Sequence, residues 1–329
     1  MTVFTAICIF SLFVVLMILS SFILSNSIDK LKKRFNISGG IVGMLAAVCS
    51  DAPEISSAIA ALYINQGDIG IGIVVGSNIF NLAALLGVSA LFAGQLHINR
   101  PATVFNGTVA ILVILMMILL IFKFISPVIS VILLMVVFIP YVFISDLKVD
   151  KMKGWNVPLK IRTFVTEAIN VIDNSKTPMP KSWAWAWIGV LTLVVIVFSS
   201  IEIVRSAIFL SDAWNINKTI LGVIILASLT GIPNVITAIK MALEKNDIAV
   251  MSEALNSNNL NIFFGVCIPS LIFGISALSK QTVFSVGWLL SITIINLLLL
   301  YFMKGFNRTS GLFSIALYLV FLFIMIRWS

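Results

Sequence analysis

The sequence predicts an all-α integral membrane protein of ten transmembrane helices, arranged as two inverted five-helix repeats. Three observations carry this expectation: an apolar composition laid out in long blocks, an uneven placement of basic residues between the blocks, and an internal repeat at a fixed offset.

Of the 329 residues, 60% are hydrophobic and 10% are charged, against roughly 25% charged in a typical soluble domain. So few charges cannot cover a water-facing surface. A bilayer core about 30 Å thick needs about 20 consecutive apolar residues per helical crossing. Ten such blocks occur, at about 3–25, 39–64, 69–93, 103–122, 126–146, 183–205, 219–243, 249–279, 282–303 and 309–328. Hydrocarbon offers no hydrogen-bond partner to the backbone, so blocks of this length are expected to be helices. The first block has no basic stretch before it and an apolar run too long for a signal peptide, so it is read as a retained span.

The net charge of +8 is read as topology rather than as affinity for nucleic acid. With the N-terminus outside, 16 of the 21 Lys and Arg residues fall on the inner side, seven of them in 147–182. The positive-inside tendency therefore predicts a multi-pass cell-membrane protein with both termini outside and a cytoplasmic 147–182 loop. Cys8, Cys49 and Cys267 lie inside apolar blocks and read as small buried hydrophobes rather than disulfides. His97 is the single histidine, and HExxH, CxxC, P-loop and GxSxG patterns are absent. The paired YD and GxGD aspartates of an intramembrane protease are absent too. The chain is read as a non-enzyme with no cofactor.

The repeat appears at an offset of 180 residues. LAAVCSDAPEISSAI at 45–59 aligns with ILASLTGIPNVITAI at 225–239, matching Ala47 to Ala227, Pro53 to Pro233 and Ser57 to Thr237. At the same offset GSNIFN at 76–81 aligns with NSNNLN at 256–261, matching Ser77, Asn78 and Asn81 to Ser257, Asn258 and Asn261. The units are then 1–146 and 183–329, with repeat motifs at about 40–92 and 220–272 and a linker at 147–182. Five helices per unit is an odd number, so the second unit enters the membrane from the opposite side, the inverted topology common among secondary transporters. In the linker, 158–173 has apolar residues at helical spacing. It reads equally as an amphipathic interfacial helix or as a solvated connector.

Ionisable residues within spans are costly and usually functional. Asp51 and Glu54 lie in mid-helix with Pro53 between them. Proline removes a backbone donor, so a kink or break is expected there, with Pro233 repeating the device in the second half. Ser77 and Asn81 share one helical face, as do Ser257 and Asn261, because each pair is four residues apart. Asn78 and Asn258 point about 100° away, which suits hydrogen bonding between helices better than ligation. Hard cations take oxygen ligands, and calcium takes 6–8. The candidate ligands are the carboxylates of Asp51 and Glu54, the amides of Asn81, Asn234 and Asn261, and the hydroxyls of Ser50, Ser77, Thr230 and Ser257. Glu202, Asp68, Asp247 and Glu253 read as interfacial or packing residues.

SDAPE at 50–54 followed by GSNIFN at 76–81 resembles the first alpha-repeat of the cation/calcium antiporter superfamily, which includes sodium/calcium exchangers. LTGIPN at 229–234 and NSNNLN at 256–261 resemble its second alpha-repeat in a divergent form. The resemblance implies an alternating-access antiporter. The second, third, seventh and eighth helices would hold the ion, and the long first and sixth would slide against them. It makes Glu54 the main cation carboxylate, with Ser50, Ser77, Asn81, Thr230 and Ser257 as further ligands. The chain departs from the family pattern at three places: Asn234 replaces a glutamate, Asn261 stands where aspartate is common, and Asp51 where serine is common. Both acids then come from the first half, and a site charge near −2 matches one divalent ion.

The expected function is export of calcium in exchange for sodium or protons. Alternatives are antiport of sodium, potassium, magnesium or manganese, or a non-transporting sensor on the same fold. The expected partners are inorganic cations and the lipid bilayer, and a monomer suffices for transport.

Overall fold

The computed structural model describes residues 2–35, 47–145, 158–168, 183–275 and 277–328. Residues 39–46 of the second expected helix and most of the 147–182 linker, including 169–173, lie outside the described residues. The chain is helical almost throughout. Helices α1 (Val3–Phe35), α2 (Ala52–Tyr63), α3 (Gly67–Ala93), α4 (Arg100–Ile121) and α5 (Pro127–Ser145) form the first half. A short helix α6 (Leu159–Ala168) lies in the linker. The second half holds α7 (Ala184–Trp214), α8 (Lys218–Leu243), α9, α10 (Lys280–Met303) and α11 (Arg308–Arg327). Helix α9 runs through Asp247–Ile262, Phe263–Cys267 and Ile268–Phe273. Eight helices are long and apolar enough to cross a membrane among the described residues; α2 and α9 are the other two helical runs of the halves.

Several helix starts are written in the sequence. Asn99, Asn217, Ser279 and Asn307 each accept a backbone N–H of the first turn, from Ala102, Thr219, Thr282 and Ser310 respectively. A side-chain oxygen at this position satisfies a donor that the helix itself leaves open. Helices α1 and α7 extend well past their expected ends at 25 and 205. Polar pairing at helical spacing carries α7 onward: Arg205 bonds Glu202 over 3.2 Å, and the helix stops only at Asn215, which is left-handed at φ 54°. At about 1.5 Å per residue these helices reach roughly 45–50 Å, longer than the hydrocarbon core, so they cross it tilted.

Helices α1 and α7 pack antiparallel along their length. The Phe13 and Phe198 rings lie 5.6 Å apart edge to face, Leu24 and Ser27 approach Gly189, and Lys30 Nζ sits 3.2 Å over the Trp185 ring. Their outer faces are bare of protein: Leu12, Val15, Leu19, Val190, Leu191 and Val194 are all exposed. Apolar area of this extent is unsustainable in water and is the surface of a membrane protein.

At the centre, α3 is buried almost throughout and crosses α8 at backbone distance. A Cβ on Gly76 would lie 2.0 Å from the Val223 carbonyl oxygen, so only glycine fits there. Beside this crossing α3 meets α9 through reciprocal bonds. Asn78 Nδ2 donates to the Asn258 carbonyl and Asn258 Nδ2 to the Asn78 carbonyl, both over 3.0 Å. Asn81 Nδ2 donates to Asn258 Oδ1 and Asn261 Nδ2 to Asn78 Oδ1, over 3.2 and 3.3 Å. Residues 180 apart thus exchange identical roles. Both helices then widen to π-helical pitch, α3 over Leu82–Val88 and α9 over Phe263–Cys267.

The two ends of the bundle carry matching acid contacts. At one end Asp68, near the start of α3, accepts from the Ser279 N–H and from the hydroxyls of Thr282 and Thr219. At the other, Asp247, which opens α9, accepts from the His97 N–H over 2.8 Å. The second end also holds a two-stranded antiparallel ribbon, β1 (Gln95–His97) and β2 (Gly305–Asn307), in which Leu96 faces Phe306. Helix α6 belongs to this end, since Asn99 Nδ2 donates to the Glu167 carbonyl over 2.9 Å.

Gly76→Ala is expected to lower stability by at least about 2 kcal/mol, the cost of overpacking a backbone crossing that cannot yield; thermal unfolding in detergent measures it. Asn78→Ala and Asn258→Ala each remove a buried amide that donates and accepts across the α3–α9 contact, at about 1–3 kcal/mol. Because the two share one network, the double variant is expected to lose less than the sum, and a double-mutant cycle reads the difference.

Candidate functional site

The site forms where α2 begins. Residues 47–50 are helical, the chain turns at Asp51 with φ −86° and ψ 5°, and α2 starts at Ala52. Pro53 sets this break. It has no N–H to continue the preceding helix, yet it suits the first turn of a new one. The expected interruption is therefore present in the first half. The second half differs: α8 is continuous through Pro233, and its irregularity lies upstream as a π-helical stretch over Leu221–Leu226. A proline inside a helix loses one backbone bond without ending it when the neighbouring helices hold the segment in place.

The break carries Asp51 and Glu54 into the core, where both are fully buried. Asn234, from α8, reaches between them. Its Nδ2 donates to Asp51 Oδ1 over 2.9 Å and to Glu54 Oε1 over 3.0 Å, and its Oδ1 accepts from Ser50 Oγ over 2.9 Å. Ser257 of α9 donates to Asp51 Oδ1 over 2.6 Å, and Asn81 Nδ2 lies 3.2 Å from Ser257 Oγ. Ser50, Asp51, Glu54, Asn81, Asn234 and Ser257 therefore form one network drawn from four helical segments.

The remaining predicted residues take other positions. Ser77 Oγ donates to the Val74 carbonyl, and Thr230 Oγ1 to the carbonyls of Leu226 and Ala227. Their protons are committed to their own helices, which leaves hydroxyl lone pairs as acceptors. Asn261 enters through Asn78 rather than through the carboxylates.

Several buried oxygens have no hydrogen-bond partner: Asp51 Oδ2, Glu54 Oε2, Asn81 Oδ1, Asn261 Oδ1 and Ser57 Oγ. A buried polar atom without a partner is rare and costly in a native fold. Here the unmet carboxylate and amide oxygens are acceptors alone, and together they ask for a positive charge or a donor. The ligand types are hard oxygens. Among the described residues no group of three or more His, Cys, Asp or Glu is placed to hold a metal. The site thus suits a hard cation held by two acids with amides and hydroxyls, not a soft-ligand metal.

One acid departs from its expected role. Glu253, read from sequence as interfacial or packing, is half-buried on α9 with Oε1 3.4 Å from Ser50 Oγ. Its charge bears on both Asp51 and Glu54. The available signal was its i, i+4 spacing to Ser257, which puts both on one helix face. Glu202 lies elsewhere, paired with Arg205, and Asp68 and Asp247 stay at the bundle ends.

The family model for sodium/calcium exchanger protein matches residues 5–146 and 183–327. Sodium/potassium/calcium exchanger 3 of Rattus norvegicus is 39% identical over 70 residues, covering 21% of this chain and only 11% of that relative. A protein described as putative antiporter CaxA, from Alkalimonas amylolytica, is 22% identical over 251 residues, covering 71% of this chain and 70% of its own length. Among solved structures, an H+/Ca2+ exchanger CAX superposes with a TM-score of 0.72 at 15% identity, covering 97% of this chain and 84% of the other. The sodium-calcium exchanger NCX_Mj superposes with a TM-score of 0.63 at 20% identity, covering 97% and 98%. With both halves matched by one family model, the chain belongs to the sodium/calcium exchanger protein family.

Proposed function

We propose that this protein is a secondary active cation antiporter that exchanges calcium for sodium or protons by alternating access. The single observation that carries the reading is the set of buried, unpartnered acceptor oxygens on Asp51, Glu54, Asn81 and Asn261. A transported cation supplies what those oxygens lack. The proposed ligand set is Glu54 and Asp51 with Ser50, Ser77, Asn81, Thr230, Asn234, Ser257 and Asn261.

The proposed architecture is ten transmembrane helices in two inverted five-helix repeats, 1–146 and 183–329, joined by 147–182. The reciprocal Asn78 and Asn258 bonds and the matching Asp68 and Asp247 contacts at opposite ends support it. The proposed topology places both termini outside and the linker in the cytoplasm. In its favour, α6, the β1–β2 ribbon and Asp247 share one end of the bundle.

Two ionised carboxylates held this close repel strongly unless a cation or a proton sits with them. Asn234 relieves part of that repulsion by donating to both. An empty site returning with a proton meets the same electrostatic need, which favours proton coupling. A second reading, antiport of another cation, is favoured by Asn234 itself, because its amide leaves the motif with two acids and no strong preference for one ion.

Radioactive calcium uptake into proteoliposomes under imposed sodium or proton gradients tests the proposal. Glu54→Gln keeps the shape and removes the charge. Gradient-driven uptake is expected in the wild type and only the level of empty liposomes in the variant; normal flux in the variant overturns the site. Uptake in sodium-free medium that ignores the pH gradient rejects proton coupling. Asn234→Glu replaces a donor with a third acid beside Asp51 and Glu54. It is expected to move the ion preference or raise the number of sodium ions exchanged per calcium, read from paired sodium and calcium fluxes.

A further inference from the structure

Glu253 stands outside the ligand set above, yet its position is specific. It precedes Ser257 by four residues on α9, so the two leave the same face about 6 Å apart along the axis. Ser257 Oγ bonds Asp51. One turn earlier, Glu253 Oε1 lies 3.4 Å from Ser50 Oγ, which in turn donates to Asn234 Oδ1. A carboxylate, a hydroxyl and an amide oxygen from three helical segments therefore gather beside the buried pair. Asp51 and Glu54 are sealed, whereas Glu253 is half-buried. It is six residues from Asp247, at the end that carries α6 and the β1–β2 ribbon. Glu253 thus lies between that end and the sealed pair.

We infer that Glu253, with Ser50 Oγ and Asn234 Oδ1, holds the cation one helical turn short of the Asp51–Glu54 pair, on the route from the α6-bearing end of the molecule. This assignment rests on the cation-exchange reading. Glu253 meets the site through Ser50, one turn from the Ser257 contact with Asp51, so the position is assigned as a separate stop rather than an extra ligand of the deep site. The deep site in turn offers the next ligands, the unpartnered and fully buried Asp51 Oδ2 and Glu54 Oε2. Stripping an ion of its water in one step is expensive. A half-buried carboxylate that replaces part of the hydration shell divides that cost, and the Ser50 and Asn234 oxygens carry the ion inward. The second half of the chain thereby contributes a carboxylate to the pathway from a position between its LTGIPN and NSNNLN segments.

The test uses the full-length protein in proteoliposomes, with radioactive calcium as probe. Three forms are compared: the wild type, Glu253→Gln and Glu253→Asp. The Gln variant retains a hydrogen-bond acceptor for Ser50 and loses the charge; the Asp variant keeps the charge on a shorter arm. An ion-holding role predicts that Gln raises half-saturating calcium by about tenfold or more, as expected for losing one close charge, and that Asp raises it less. A structural role predicts the reverse order, Gln mild and Asp severe, and that result, or no change in either variant, overturns the assignment while wild-type uptake leaves the exchange reading intact. No calcium uptake by the wild type overturns the exchange reading itself, and this assignment with it.

Discussion

The structure is organised by one electrostatic constraint: two carboxylates are sealed in a low-dielectric core without a matching cationic side chain in their hydrogen-bond network. Burying even one ionised acid costs several kcal/mol unless it is compensated. Partial compensation comes from Asn234, whose amide donates to both, and from Ser257. The remaining oxygens, Asp51 Oδ2 and Glu54 Oε2, are left for something the fold does not itself contain. In the proposed cation exchange, binding removes that deficit, and the surrounding architecture holds those oxygens in place.

That architecture is rigid at its centre and slippery at its edge. Gly76 lets α3 touch the α8 backbone, and the Asn78–Asn258 exchange ties α3 to α9 with bonds that leave no donor idle. The acids sit against this block through Asn234 and Ser257. Helices α1 and α7, by contrast, bury apolar and small hydroxyl side chains, pack the Phe13 and Phe198 rings edge to face, and expose long apolar surfaces outward. Dispersion contacts have little directionality, so a packed pair of this kind moves as a unit more cheaply than a network of buried hydrogen bonds rearranges. Ser56 Oγ, 2.6 Å from Ser200 Oγ, is a polar tether between α2 and α7, and in the proposed alternating access it is one place where motion of the long helices would reach the site.

Much of this was legible in the sequence because membrane helices obey simple rules. Long apolar blocks located the eight helices long enough to span among the described residues, and the matched SNxxN segments marked residues that bond between helices. Asn78 and Asn258, read as inter-helix bonding residues, do bond between helices, and Asn81 and Asn261 join the same exchange. Pro53 signalled the break beside Asp51. What escaped depended on tertiary packing. Pro233 sits in a helix that neighbours hold intact, so the same residue that breaks one half leaves the other continuous. The π-helical stretches after Asn81 and Ile262 have no local sequence signature, and the three-residue β1–β2 pairing joins segments about 210 residues apart. The contact of Glu253 with Ser50 was not legible, because its neighbours along the chain place it near a helix end. Only the approach of Ser50 from another segment brings it to the site.

The most direct test of the central claim is the melting temperature of the detergent-solubilised protein as calcium is titrated in. A ligand that binds only the folded state raises stability in proportion to the logarithm of its concentration above the dissociation constant. If a cation completes the buried oxygens, the wild type gains stability with calcium and Glu54→Gln does not. An absent shift in the wild type, or an equal shift in both, contradicts the account.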